Sequence, residues 1–178
     1  MTIVITLPDF VPDEARRIEA LLQRGDVDLV HIRKPQATER EVAQLIEQIQ
    51  PVWYDRLVVH DHHALALRYG LHGIHLNGRH PVPPPAWHGA LSISCHSLDE
   101  LARCRQQPFA YMSLSPIFDS ISKQGYHSAF TASDIAAARA EGIIDQRVLA
   151  LGGVTFARLP EVLRMGFGGG MILGDAWK

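Results

Sequence analysis

Eight short apolar runs, mostly β-branched, alternate along this 178-residue chain with stretches of helical or loop character. The runs fall at residues 2–7, 28–32, 57–60, 73–76, 91–95, 109–113, 148–151 and 169–173. Strands separated by helical crossovers pair in parallel, because each crossover returns the chain to the same end of the sheet. Eight such units close naturally into a (β/α)8 TIM barrel. The alternative, an open doubly wound sheet, lacks its usual phosphate signature: no GxGxxG follows the first run.

The stretches between the runs carry helix punctuation. Pro12 opens a helix whose apolar face is Ala15, Ile18, Leu21 and Leu22, and Gly25 ends it. Thr38 and Glu41 have the S/T-x-x-E spacing of a capping box, as do Ser97 and Glu100. Gly70 stops a short third helix, a fifth-strand helix follows Ser97, and another is capped near Thr131 or Ser133. Pro160 suits a first helical turn, and Gly166 ends that helix. Between the fourth and fifth strands, residues 77–89 hold Pro81, Pro83, Pro84 and Pro85 without helical periodicity. The expectation is a compact barrel with helix 4 lost and helix 8 truncated, since the chain stops five residues past the eighth run. The length suits one domain over 1–178, because single cores run to roughly 250 residues before splitting.

Composition narrows the function classes. A net charge of −2 offers no basic footprint for nucleic acid, yet leaves room for a local phosphate pocket. No apolar run approaches the roughly 20 residues that span a bilayer. The N-terminal stretch is too short for a signal peptide. Cys95 and Cys104 are too few for a disulfide scaffold and lack CxxC spacing. These features predict a cytoplasmic protein with reduced thiols.

In such a barrel, chemistry gathers where strands end. His31 and Arg33 share one side of the second strand by alternation, and a guanidinium suits a phosphate fork. Asp61, after the third strand, is either a helix cap or a ligand for a hard cation. The run His60-Asp61-His62-His63 is not read as a zinc site, because sequence neighbours converge poorly on one ion. His75 and the loop beyond it read as ordinary structure. Ser94 and His96 share a face after the fifth strand, and His96 is an acid–base candidate. Ser120, Ser122 and Lys123 offer two hydroxyls and a cation to a polyanion. Gly152 and Gly153 after the seventh strand, and the glycines around the eighth, would let backbone N–H groups approach a phosphate.

Taken in order, HIRKP, VVHDH, GIHLN, SISCHS, SPIFDSISKQGY, LALGGV and GFGGGMILG resemble the thiamine phosphate synthase family and its close relative, the thiazole tautomerase. SPIFDSISK is the most specific of these segments. The resemblance implies an enzyme, a transferase of thiamine biosynthesis. It joins hydroxymethylpyrimidine diphosphate to thiazole phosphate and releases diphosphate, with Mg2+ as cofactor. In place of the family's Gln-x-Arg-x-Lys stand His31, Arg33 and Pro35, with Lys34 as a substitute cation from the neighbouring position. His60 and Asp61 take the place of its Asn-Asp pair, which makes Asp61 the metal ligand. Its second metal-binding aspartate falls on His80 or is lost. Ser94 matches the serine after the fifth strand, and Ser120, Ser122 and Lys123 match a Thr-x-Thr-Lys. Gly152 and Gly153 match phosphate-binding glycines, and Leu173-Gly174 stands where the family has Ile-Ser. Arg33, Lys123 and His96 are thus the expected catalytic residues. His31, Lys34, His60, Ser94, Ser120, Ser122, Gly152, Gly153, Leu173 and Gly174 are expected to bind substrate. The tautomerase relies on a histidine after the fifth strand, for which His96 is the match, and it remains the alternative alongside a non-catalytic phosphate-ligand binder. The partners expected are small phosphorylated substrates, with no nucleic acid or membrane, and a homodimer as the candidate assembly.

Overall fold

The eight expected strands are present, each shifted by no more than two residues from its sequence-based bounds. They are β1 (Thr2–Ile5), β2 (Leu29–Ile32), β3 (Leu57–Val59), β4 (Gly73–Leu76), β5 (Ala90–Cys95), β6 (Tyr111–Leu114), β7 (Val148–Ala150) and β8 (Gly169–Ile172). The structure is a computed structural model, and it describes residues 1–85, 87–118 and 130–178. The strands follow one another in sequence order as a closed parallel barrel. An α/β barrel, not an open doubly wound sheet, is therefore the fold.

By contacts the chain divides into two compact units, Thr2–Leu91 and Ser92–Lys178 together with Met1. In the first, Val4 pairs with Val30, His31 with Val58, and Val59 with Ile74. Ile3, Val4, Val30, Ile32, Leu57, Val58, Val59 and Ile74 are essentially inaccessible. Near-continuous apolar runs of this kind are what a parallel sheet covered on both faces demands. The helices α1 (Glu14–Gln23), α2 (Glu39–Glu47) and α3 (Ala64–Tyr69) supply the outer cover. Helix α1 buries Ala15, Ile18, Leu21 and Leu22, the face expected from its spacing. It starts at Glu14 rather than at Pro12, after Asp13 in a left-handed conformation. The Thr38–Glu41 capping box on α2 forms in both directions. Between β4 and β5 the described residues hold no helix, only a tight bridge from Asn77 to His80.

In the second unit, Ser94 pairs with Ser113, Leu114 with Ala150, and Ala150 with Gly170. Helices α4 (Leu98–Cys104), α5 (Ala132–Ala140) and α6 (Leu159–Arg164) pack here. The Ser97–Glu100 box forms only by half. Ser97 accepts from the Glu100 amide, but the Glu100 carboxylate takes the His96 amide at 2.7 Å instead. Thr131, not Ser133, caps α5 with a complete box to Asp134. After β8 only a single 3-10 turn, Gly174–Trp177, follows. Gly169 has φ 153°, and a Cβ there would collide with the Met1 carbonyl, so this glycine serves close packing of β8.

Candidate active site

Three histidines from three strand ends of the first unit meet in its interior. His31 is the third residue of β2, His60 follows β3, and His75 is the third residue of β4. Their fractional exposures are 0%, 6% and 1%. His31 Nδ1 and His60 Nε2 share a hydrogen bond of 2.9 Å. The rings of His60 and His75 stack at 4.2 Å, and His31 lies 5.2 Å from His75. Burial disfavours the imidazolium form, so all three pKa values fall below 6.5, that of His75 to about 3. The positive charge of Arg33 lowers His60 and His75 further, which places its field on this cluster. The Arg33 guanidinium makes no hydrogen bond or ion pair to a described residue. Its backbone N–H is fixed at 2.9 Å by Thr6 Oγ1.

Asp61 is buried beside the cluster. Its Oδ1 accepts from Arg79 Nη2 at 2.9 Å and lies 3.4 Å from His80 Nε2. Its Oδ2 is buried without a hydrogen-bond partner among the described residues. The helix-cap reading of Asp61 does not hold, since His63 precedes α3 and no side chain caps it. Asn77 organises the loop that delivers Arg79: its Oδ1 accepts the amides of Arg79 and His80, and its Nδ2 donates to the His60 carbonyl. His62 and His63 are spent on backbone carbonyls, those of Ala37 and His60.

Lys34 requires a correction. It was expected to reach substrate from the position beside Pro35. Lys34, two residues past β2, instead reaches into a buried nest. Its Nζ donates to Glu14 at 2.6 Å and to the carbonyls of Leu7 and Asp9 at 2.9 and 2.8 Å. An ammonium has three protons, and these three partners occupy them all. Burial pulls the Lys34 pKa down, while Glu14 pulls it back up. Lys34 is the cation of a buried ion pair that fixes the segment after β1.

The second unit contributes two polar pairs across β5 and β6. Ser113 donates to Ser94 at 3.2 Å, and two residues further along both strands Ser115 Oγ meets His96 Nδ1 at 3.1 Å. His96 is exposed and Ser115 buried. Beyond β7, Gly152 and Gly153 turn with φ 91° and 64°, both left-handed. A Cβ on Gly152 would stand 2.8 Å from Pro116 Cα, so only glycine fits there. The Gly152 carbonyl accepts from the Phe118 amide, and the Gly153 carbonyl accepts from Arg158, whose guanidinium lies 4.6 Å over the Phe118 ring. The amide N–H groups of Gly152, Gly153 and Gly174 have no hydrogen-bond partner among the described residues. Asp175, in the turn that Leu173 and Gly174 open, accepts the Phe156 amide at 3.2 Å and so ties this turn to the loop after β7. Ser120, Ser122 and Lys123 lie outside the described residues.

The class is that of a (β/α)8 barrel whose polar side chains and glycine turns sit where the strands end. The sequence profile of thiamine monophosphate synthase matches residues 2–173, and the chain belongs to that family. A solved thiamine phosphate pyrophosphorylase from Bacteroides thetaiotaomicron shares 37% identity at a TM-score of 0.88, covering 99% of this chain and 84% of that one. Thiamine-phosphate synthases from Synechococcus sp. and Photorhabdus laumondii are 29% and 28% identical over 92% and 89% of this chain. The chain spans 47% of the Synechococcus protein's length and 76% of the Photorhabdus protein's. A Pyrococcus furiosus thiamine phosphate pyrophosphorylase, 19% identical at a TM-score of 0.74, shares the fold. No helix among the described residues is long and apolar enough to cross a membrane.

Proposed function

We propose that this chain is a thiamine phosphate synthase. The observation that carries the reading is the family match across residues 2–173, joined to 37% identity with the Bacteroides pyrophosphorylase over nearly the whole chain. In the reaction the methylene–oxygen bond of hydroxymethylpyrimidine diphosphate breaks and its electron pair leaves with the diphosphate. The ring nitrogen of thiazole phosphate then bonds to the methylene cation. Little covalent work falls to the protein, whose task is to position the substrates and stabilise the departing charge.

The residues divide along that task. Arg33, with a guanidinium that no described side chain engages, is assigned to the diphosphate, together with Lys123, Ser120 and Ser122. His31 and His60, buried and uncharged, are assigned to the pyrimidine side, and Ser94 to substrate as well. The free amides of Gly152, Gly153 and Gly174, with the backbone of Leu173, are assigned to the thiazole phosphate. Mg2+ fits this donor set through one anchor. Asp61 Oδ2 is a buried carboxylate oxygen without a partner among the described residues, and magnesium needs only one or two carboxylates besides water and substrate phosphates. When bound it would neutralise diphosphate charge. His80, in place of a second carboxylate, contributes nothing to such an ion.

The His96–Ser115 contact favours a second reading, proton transfer on a thiazole phosphate. An exposed imidazole held at Nδ1 by a buried hydroxyl presents its other nitrogen for acid–base work. Incubating the chain with both substrates and Mg2+ and weighing the products separates the two. Thiamine phosphate and diphosphate support the synthase, an isomerised thiazole phosphate alone supports the tautomerase, and no turnover supports a binder. Soluble monomeric or dimeric state under the same conditions, read by light scattering, tests the homodimer expectation.

A further inference from the structure

His31, His60 and His75 come from three consecutive strands, and one ring nitrogen of each lies within 4.8 Å of the others. We propose that these three histidines form a site for a borderline transition-metal ion, of the Zn2+ or Co2+ class, separate from the magnesium anchor at Asp61.

The donor chemistry selects the ion. Three imidazoles suit zinc, cobalt and nickel, whereas magnesium requires oxygen. A tetrahedral ion with zinc–nitrogen bonds of about 2.0–2.1 Å spaces its ligand atoms roughly 3.4 Å apart. The His31–His60 contact at 2.9 Å is tighter than that, and the widest separation in the cluster, up to 4.8 Å, is looser. Ring rotations, that of His60 against the stacked His75 included, would bring the nitrogens to the ion's spacing. A metal ligand must be an unprotonated nitrogen. All three rings are buried among apolar strand residues. The one proton between His31 Nδ1 and His60 Nε2 moves to the other nitrogen of its own ring as the ion enters, so no net proton is released. Three protein ligands leave a fourth position open to water or to a ligand nitrogen, the arrangement of catalytic rather than structural zinc. Cys95 and Cys104, the two thiols of the chain, lie in the other unit and supply no sulfur.

An ion on His31 and His60 would take the place of their assignment to the pyrimidine above, while the synthase reading itself is not required, and metal uptake is measured without turnover. The full chain is stripped with chelator and titrated with Co2+ and Zn2+ in excess Mg2+, with His31→Asn, His75→Asn and His62→Gln alongside. His62 serves as the control because it only donates to the Ala37 carbonyl. Expected are one ion per chain, the visible bands of tetrahedral Co2+, and a Zn2+ absorption shell of nitrogen or oxygen at about 2.0 Å with imidazole scattering. Affinity falls by roughly two orders of magnitude in the His31 and His75 variants and is unchanged in His62→Gln. Because the absorption spectrum is taken on wild-type protein, it stands even where a variant fails to fold. Absence of stoichiometric uptake, displacement by Mg2+, a sulfur shell, or unaltered affinity in folded His31 and His75 variants would each overturn the proposal.

Discussion

Arg79 holds the buried carboxylate of Asp61 at 2.9 Å from a half-exposed position, so one oxygen of the proposed magnesium anchor carries a protein cation. A guanidinium and a divalent ion on one carboxylate repel each other. Arg79→Ala is therefore expected to lower the Mg2+ concentration for half-maximal activity, by roughly tenfold for about 1.4 kcal/mol of relieved repulsion. The stability cost should stay near or below about 1 kcal/mol, because the pair is solvated on the arginine side. A midpoint that rises or does not move contradicts this arrangement.

Lys34 and Glu14 are the strongest stability test. Both side chains are buried, and losing one leaves the other an uncompensated interior charge. Lys34→Met should destabilise the chain by about 3–5 kcal/mol, and adding Glu14→Gln should recover much of that. Urea unfolding of the three proteins measures both steps. If Lys34→Met alone is neutral, the ammonium is not where the structure puts it.

The buried histidines predict acid lability. His31 and His75 have pKa values lowered by burial, the latter to about 3, against 6.5 in an unfolded chain. Below pH 6.5 the unfolded state therefore binds protons that the folded state refuses. Stability is fully present above that pH and is lost as pH falls toward the folded values, by about 1.4 kcal/mol per unit for each histidine once the unfolded form is protonated. Unfolding midpoints taken at descending pH, with chelator present, should drop steeply, and His75→Gln should flatten the slope. A pH-independent midpoint in the wild type is the opposing result.

Gly152 and Gly174 should behave differently although both are assigned here to phosphate through their amides. Gly152→Ala meets Pro116 and a left-handed φ, whereas a Cβ on Gly174 meets nothing within 4 Å. Gly152→Ala is expected to cost about 1–3 kcal/mol of stability and raise KM for thiazole phosphate. Gly174→Ala should leave stability within about 0.5 kcal/mol. Thermal unfolding and substrate titration of the two variants check the contrast, and equal losses would refute it.

The barrel was legible because its signals are local. Hydrophobic runs mark the strands, the Thr38–Glu41 spacing marks α2, and the prolines of 77–89 mark the missing helix. The family was legible too, since its motifs keep their order from HIRKP to GMILG. What sequence reading missed depends on tertiary placement. His75 read as ordinary, and only the neighbouring positions of β2, β3 and β4 bring it to His31 and His60. Lys34 read as a spare cation, although it is taken up by Glu14, 20 residues earlier. Arg79 carried no motif, and its contact with Asp61 is made by the Asn77 turn. A useful signal was present for His75: alternating polar residues at 31 and 75, inside otherwise apolar strands, are costly unless they meet one another.

The central claim is synthase chemistry, and steady-state formation of thiamine phosphate with and without Mg2+, in wild type, Lys123→Ala and His96→Ala, tests it most directly. The account predicts product only with Mg2+. Lys123→Ala should lose roughly 10- to 100-fold, mainly in kcat, since a charge-assisted contact worth about 1.5–3 kcal/mol strengthens as the bond breaks. His96→Ala should lose far less. No thiamine phosphate under any condition, with isomerisation of the thiazole phosphate that needs no Mg2+, survives Lys123→Ala and disappears in His96→Ala, would contradict the synthase and establish proton transfer on a thiazole phosphate in its place.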